Sequence, residues 1–205
     1  MRDGDPNMAQ PHDILDFWFG PGDPDDPANA RFGLWFGANA DLDRDIRARF
    51  LPTIEAAALG HLEHWKESPE GRLAWTLLLD QFTRNAYRNS YRMFAFDMLA
   101  LQSTREAVAQ GQDRALPALH RGFLYLPLEH SEEAAAQDES VALYRALATE
   151  APAAMHGIIG SMLDYAERHA VVIRRFGRYP HRNALLGRQT TVEEAAFLAS
   201  AAAPF

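Results

Sequence analysis

The chain has 205 residues, enough for one well-buried domain, with 47% apolar and 23% charged residues, a net charge of −8 and a pI near 5.4. That acidic balance argues against general nucleic-acid binding. The absence of cysteine excludes disulfides, thiolate nucleophiles and cysteine-ligated zinc or iron–sulfur centres.

No apolar run reaches the ~18 residues of a membrane span, and Met1–Pro11 has no signal-peptide core. The expected location is the cytoplasm, with residues 1–11 as a disordered lead-in and 12–205 as a single domain. Nineteen of the 20 basic residues are Arg and only Lys66 is Lys, so the choice of Arg carries little information, but its placement does.

A first short helix is predicted over His12–Phe19, followed by a Pro/Gly/Asp-rich loop over Pro21–Asn29. The aromatic groups Phe17-Trp18-Phe19 and Phe32, Trp35, Phe36 are expected to clamp this segment onto the core rather than stack on a ligand. Asp41–Trp65 reads as a long helix with a stripe of Leu42, Ile46, Phe50, Ile54 and Ala58, capped by Asn39 or Asp41 and interrupted by Pro52. His61 and His64 near its end have a metal-compatible spacing, but read better as exposed histidines.

The run Leu73-Ala74-Trp75-Thr76-Leu77-Leu78-Leu79 is assigned to a buried helix because its neighbours are helical. The segment after it, with Arg84, Asn85, Arg88, Asn89, Ser90 and Arg92, reads as a loop with no acid between Asp80 and Asp97. Helices are predicted over Tyr91–Gln110, closed by Gly111, and over Arg114–Leu128, ended by Pro127. Ser131 is the expected N-cap of a helix over Glu132–Thr149. Ala153–Phe176 carries the longest pattern, with Met155, Ile159, Met162, Ala166, His169 and Ile173 on one stripe, which points His169 into the core. Thr190-Thr191-Val192-Glu193-Glu194, a Thr followed by Glu three residues on, carries a capping box for a closing helix. No strand pattern and no convincing repeat occurs, so the fold class is all-α, with seven to eight helices and short loops.

The chemistry concentrates in two polar stretches. Gln81-Phe82-Thr83-Arg84-Asn85 follows one apolar helix, and Arg178-Tyr179-Pro180-His181-Arg182-Asn183 follows another. Residues 171–192 hold five arginines (174, 175, 178, 182 and 188) and no acid. Such guanidiniums need carboxylates or a bound anion as compensation. In one reading Asp80, Asp97, Glu129 and Glu132 pair with them. In the other they form a pocket for a small anionic or polar metabolite.

The ligand-binding candidates are Asp80, Gln81, Arg84, Asn85, Glu132, Arg178, Arg182 and Asn183. The proton-transfer candidates are His130, His169 and His181. Asp80, Arg84, His130, Arg178 and Arg182 are expected to lie near one another. No cofactor or metal is expected, and Gly-x-Ser-x-Gly, P-loop, Gly-x-Gly-x-x-Gly and His-Glu-x-x-His motifs are absent.

The series Phe17-Trp18-Phe19-Gly20, Leu78-Leu79-Asp80-Gln81-Phe82-x-Arg84-Asn85, Leu126-Pro127-Leu128-x-His130-Ser131-Glu132, Phe176-Gly177-Arg178-Tyr179-Pro180-His181-Arg182-Asn183, Leu186-Gly187-Arg188 and Thr191-x-Glu193-Glu194 resembles the bacterial domain of unknown function family 924, over roughly Ile14 to Leu198. The resemblance implies a tetratricopeptide-like stack of antiparallel helix pairs and no assigned activity. Thr83, Tyr179 and Glu129 depart from its usual Pro, Phe and apolar residue, and Glu129 is expected to raise the pKa of its neighbour His130. Two functions remain open: a small-ligand binder, acid–base enzyme or hydrolase using the Arg/His pocket, and an interaction module presenting a groove to a peptide or protein partner.

Overall fold

The computed structural model describes residues 8–37 and 39–200, so residues 1–7 of the expected lead-in lie outside the described residues. The described residues are helical, with no strand among them. The elements are α1 (Pro11–Phe19), α2 (Phe32–Trp35), α3 (Ala40–Ala58), α4 (Pro69–Leu77), α5 (Thr83–Ala86), α6 (Asp97–Ala109), α7 (Ala118–His130), α8 (Ala134–Glu150), α9 (His156–Phe176) and α10 (Val192–Leu198). Helix α1 packs on α4, α3 on α5, α4 on α6 and α7, and α7 on both α8 and α9, which pack on each other. No described helix is long and apolar enough to cross a membrane.

Local chemistry sets most of the ends. Pro11 opens α1, whose Asp13 carboxylate accepts the Gln10 N–H at 2.8 Å. Asn39 Oδ1 accepts the N–H groups of Asp41 and Leu42, capping α3. Gly177, with φ of 67°, stops α9 by turning left-handed and donating its N–H to the Ile173 carbonyl. The Thr191–Glu194 capping box starts α10 as expected.

The apolar stripes are buried largely as read: Leu42, Ile46, Phe50 and Ile54 on α3, with Ala58 at its end half-buried, and Met155 leading into Ile159, Met162, Ala166, His169 and Ile173 on α9. Trp18 and Trp35 are buried together, with the Trp35 indole N–H donated to the Trp18 carbonyl at 2.9 Å. Trp18, Phe19 and Trp35 clamp the N-terminal segment as expected, whereas Phe32 and Phe36 of the second group stay exposed.

Several boundaries differ from the sequence reading. Helix α3 stops at Ala58, so His61 and His64 lie in the turns beyond it. The chain does not become a loop after Leu79. It passes through a π-helical turn, Leu78–Phe82, and continues as α5 to Ala86. Thr83 Oγ1 donates to the Leu78 carbonyl at 2.9 Å, which satisfies part of the widened turn.

The predicted helix over 91–110 is a 3₁₀ turn, Tyr91–Phe94, and then α6. Met98 is exposed, while Ala100, Leu101, Thr104 and Ala107 face inward. Pro127 sits inside α7, which runs on to His130 between α4, α6, α8 and α9. Packing on so many sides outweighs the lost hydrogen bond. Ser131 is not the N-cap of α8, because residues 131–133 are drawn out and the Glu132 carboxylate binds the Tyr179 N–H and Arg188 instead.

Gly71, in the first turn of α4, is where a side chain has no room. A Cβ there would overlap the Trp65 carbonyl oxygen, which is backbone and cannot swing away. Gly71→Ala is expected to cost about 1–3 kcal/mol. Gly157→Ala, at an open position in α9, should stabilise by about 0.5–1 kcal/mol. Urea midpoints that move the same way in both variants would contradict this packing.

Candidate functional site

The π turn places Asp80 in the interior, where it is 1% exposed. Its carboxylate is surrounded by donors from two directions. Gln81 Nε2 donates to Oδ2 at 2.5 Å, Arg84 Nη1 lies 3.2 Å from Oδ1, and His130 Nδ1, at the end of α7, lies 2.7 Å from the same oxygen. Burial alone would raise the pKa of this acid, but Arg84 and His130 outweigh burial and hold it well below the usual carboxylate range. An ionised carboxylate only accepts, so the proton on the His130 ring is fixed at Nδ1. Nε2 is left as the basic nitrogen, with no hydrogen-bond partner among the described residues. Burial and Arg84 lower the pKa of His130 below its ordinary value, although Asp80 opposes them, so the ring is neutral near pH 7.

Arg84 carries the connection onward. Its Nη1 and Nη2 donate to Asp97 Oδ1 and Oδ2 at 2.9 and 3.1 Å, a two-pronged pair at the first turn of α6. Arg182, presented by the 3₁₀ turn Pro180–Arg182, approaches the same Asp97 only to 3.6 Å. Its guanidinium carbon instead lies 4.7 Å from the Phe94 ring centroid and 4.5 Å from that of Tyr179. Arg182 is 7% exposed, and its Nε is buried without a hydrogen-bond partner among the described residues. Burial and the charge of Arg84 lower its pKa to about 10.

Glu129 precedes His130 but points elsewhere. Its Oε1 lies 3.3 Å from His169 Nδ1, which also donates to the Tyr165 carbonyl at 2.8 Å. The expected rise in the His130 pKa therefore does not occur. The carboxyl that is perturbed is that of Glu129 itself, pushed up to about 8 by burial and by Asp80. Burial lowers His169 to about 4. Burial and Arg182 lower His181 to about 3. Tyr179 donates its hydroxyl proton to the Glu129 carbonyl and accepts from Gln137 Nε2 at 2.9 Å, fastening the 178–183 stretch onto α7 and α8.

Of the residues singled out from sequence, the fold brings Asp80, Gln81, Arg84, His130 and Arg182 into one cluster, with His169 and His181 against it. Four lie outside. Asn85 donates to Asp43 at 2.8 Å beside Arg88. Arg178 pairs with Glu194 at 2.7 Å. Asn183 bridges Glu194 and Arg188. Glu132 holds Arg188 and the Tyr179 N–H.

The five-arginine stretch is thus compensated largely from other elements, with Asp138 on Arg174, Glu193 on Arg175, Glu194 on Arg178 and Glu132 on Arg188. Asp97 and Phe94 were not singled out as site residues. The signal was present, since Asp97 is the first acid after Asp80. A surface cleft of about 700 Å³ lies apart from this cluster, beside α1. Its Arg31 is committed to the Phe17 carbonyl and its Asp13 to the start of α1.

Comparison with known proteins gives two matches. The family model described as a bacterial protein of unknown function, DUF924, matches residues 14–202. A solved structure titled as a protein of unknown function, ATU0120 from Agrobacterium tumefaciens, is 38% identical with a TM-score of 0.77, over 92% of this chain and 96% of that one. No curated protein matches.

Two stability tests follow from the cluster. Arg84→Ala leaves both Asp80 and Asp97 without their main counter-charge and should cost about 3–5 kcal/mol. Arg182→Ala leaves Asp97 still paired with Arg84 and loses the ring contacts and one long ion pair, about 1–2 kcal/mol. Equal losses in chemical denaturation would refute this division.

The second test concerns pH. The folded pKa of Glu129, about 8, lies above its ordinary 4.5, so between those values the native state holds the extra proton and stability falls as pH rises. Wild type should lose stability from pH 6.5 to 8.5, and Glu129→Gln, which keeps the group neutral, should lose less. Parallel denaturation curves for the two proteins across that window would show that Glu129 ionises normally.

Proposed function

We propose a function for this chain on the premise that it belongs to the DUF924 family of bacterial proteins: it is an acid–base catalyst, of hydrolytic type, for a small polar or anionic metabolite. The observation that carries this reading is the contact of 2.7 Å between Asp80 and His130 Nδ1, made by a buried carboxylate to a ring whose side chain is still 16% exposed. A carboxylate behind Nδ1 fixes the tautomer and orients Nε2 as a base, and it stabilises the imidazolium that forms when Nε2 takes a proton.

In this reading His130 Nε2 removes the proton from a substrate hydroxyl or an attacking water. The ring starts neutral, as a base must. Asp80 and Glu129 are two carboxyls in one buried neighbourhood with pKa values pushed in opposite directions, the pattern of an acid and a base sharing a site. Glu129 is the protonated member, and the incompletely paired Arg182 offers its donors to an anionic group.

The same observation weighs against a peptide-binding module. The polar groups that define the cluster are buried rather than spread along an open groove, which suits a small ligand. Cytoplasmic location remains part of the proposal.

The test uses His130→Gln. Imidazole nitrogen resonances of the wild type should report an Nδ1–H tautomer at neutral pH that titrates below 6.5. Hydrolysis of any small ester, amide or phosphoester found in an activity screen should drop by about 10²–10⁴-fold in the variant with the helical dichroism intact. A His130 ring in the Nε2–H form, or a variant that keeps full activity, would remove the catalytic role.

A further inference from the structure

Arg182 is the one guanidinium of the cluster whose donors are not consumed by the fold. Arg84 spends both end nitrogens on Asp97 and one of them on the Asp80 main-chain carbonyl as well, at 2.9 Å. Arg188 and Arg178 each grip a carboxylate at 2.7 Å. Arg182 makes no side-chain hydrogen bond among the described residues, and its nearest carboxylate oxygen stands 3.6 Å from Nη1. Its buried Nε has no hydrogen-bond partner among the described residues. A buried charged donor left this way costs free energy, and such a group is the expected attachment point for a molecule that the protein binds.

The geometry restricts what that molecule presents. Phe94 and Tyr179 lie against the guanidinium, so approach is confined to its edges. On one side Nη1 faces Asp97. The opposite edge is formed by Nε and Nη2, two parallel N–H donors in one plane, which match the two oxygens of a carboxylate.

Charge points the same way. Asp80 and Asp97 already balance Arg84 and Arg182, and Glu129 is neutral near pH 7. A guest therefore adds its whole charge to a buried neutral site, which favours a monoanion over a dianion such as phosphate or sulfate.

We propose that the Nε/Nη2 edge of Arg182 is a carboxylate-recognition site, and that the natural ligand is a small monocarboxylic acid held there with Phe94 and Tyr179 against the guanidinium. This deepens the reading of the cluster as a ligand site, but it does not depend on His130 acting as a base.

The experiment measures binding by calorimetry and by thermal shift at constant ionic strength, using acetate, propionate and benzoate as probes beside phosphate and sulfate. Wild type and His130→Gln should both show saturable binding of at least one carboxylate, with phosphate and sulfate weaker. Arg182→Gln should weaken the carboxylate by about tenfold or more. Arg182→Lys should weaken it similarly, because an ammonium keeps the charge but loses the planar fork; it also serves if the Gln variant fails to fold.

Three results would overturn the proposal. They are carboxylate affinity unchanged in both Arg182 variants, phosphate or sulfate binding as tightly as the carboxylates, and no saturable response to any carboxylate. Loss of activity in His130→Gln with carboxylate binding intact separates the two claims, and so does its converse.

Discussion

A carboxylate buried to 1% exposure is the constraint around which this chain is arranged. Asp80 remains ionised only because Arg84, His130 and Gln81 converge on it, and those three come from α5, the end of α7 and the π turn itself. Each partner then imposes a condition on another element. Arg84 has donors to spare and draws in Asp97, which fixes the first turn of α6. Asp97 in turn sits beside Arg182, and Tyr179 beside it is tied by its hydroxyl to the main chain of α7. An isolated buried charge is costly enough that this linkage positions helices as firmly as the apolar core does.

The electrostatic outcome is a cluster rich in ionisable groups and nearly neutral in total. The three histidines nearest it all have pKa values lowered chiefly by burial, and Glu129 keeps its proton for the same reason. The surplus of arginine near the C-terminus is not a field spread over the surface. It is distributed into separate ion pairs that fasten α8, α9 and α10, and it leaves one guanidinium inside with incomplete pairing.

What the sequence made legible is what local rules govern. The stripe on α9, the burial of His169, the Asn39 cap and the Thr191–Glu194 capping box depend on residues within a few positions of one another, and the structure has them. Misjudged features depended on partners distant in sequence. Asn85 looked like a loop residue because it is a poor helix former, yet it lies in α5, where Asp43 of α3 accepts its amide. Ser131 looked like a cap, but Glu132 beside it answers to Arg188. Glu129 looked like a neighbour of His130, although successive residues on a helix point about 100° apart, and its carboxyl reaches His169. The association of Asp80, Arg84, His130 and Arg182 could be inferred because each ends an apolar segment. Arg178 ends one too, but faces outward to Glu194.

The π turn at Leu78–Phe82 adds a phase shift to this picture. A π turn is equivalent to one residue inserted into an α-helix, and it swings everything downstream by about 100° around the axis. Asp80 lies within the insertion and Arg84 just after it, so the angle between the acid and its counter-charge is set by a surplus residue rather than by composition. The loss of one leucine codon from the run Leu77-Leu78-Leu79 would leave every chemically important side chain in place in the gene, and would still turn Arg84 away from Asp97. Sequence identity and spatial identity separate here, because a one-residue gap in an otherwise close relative removes the site while every motif letter survives.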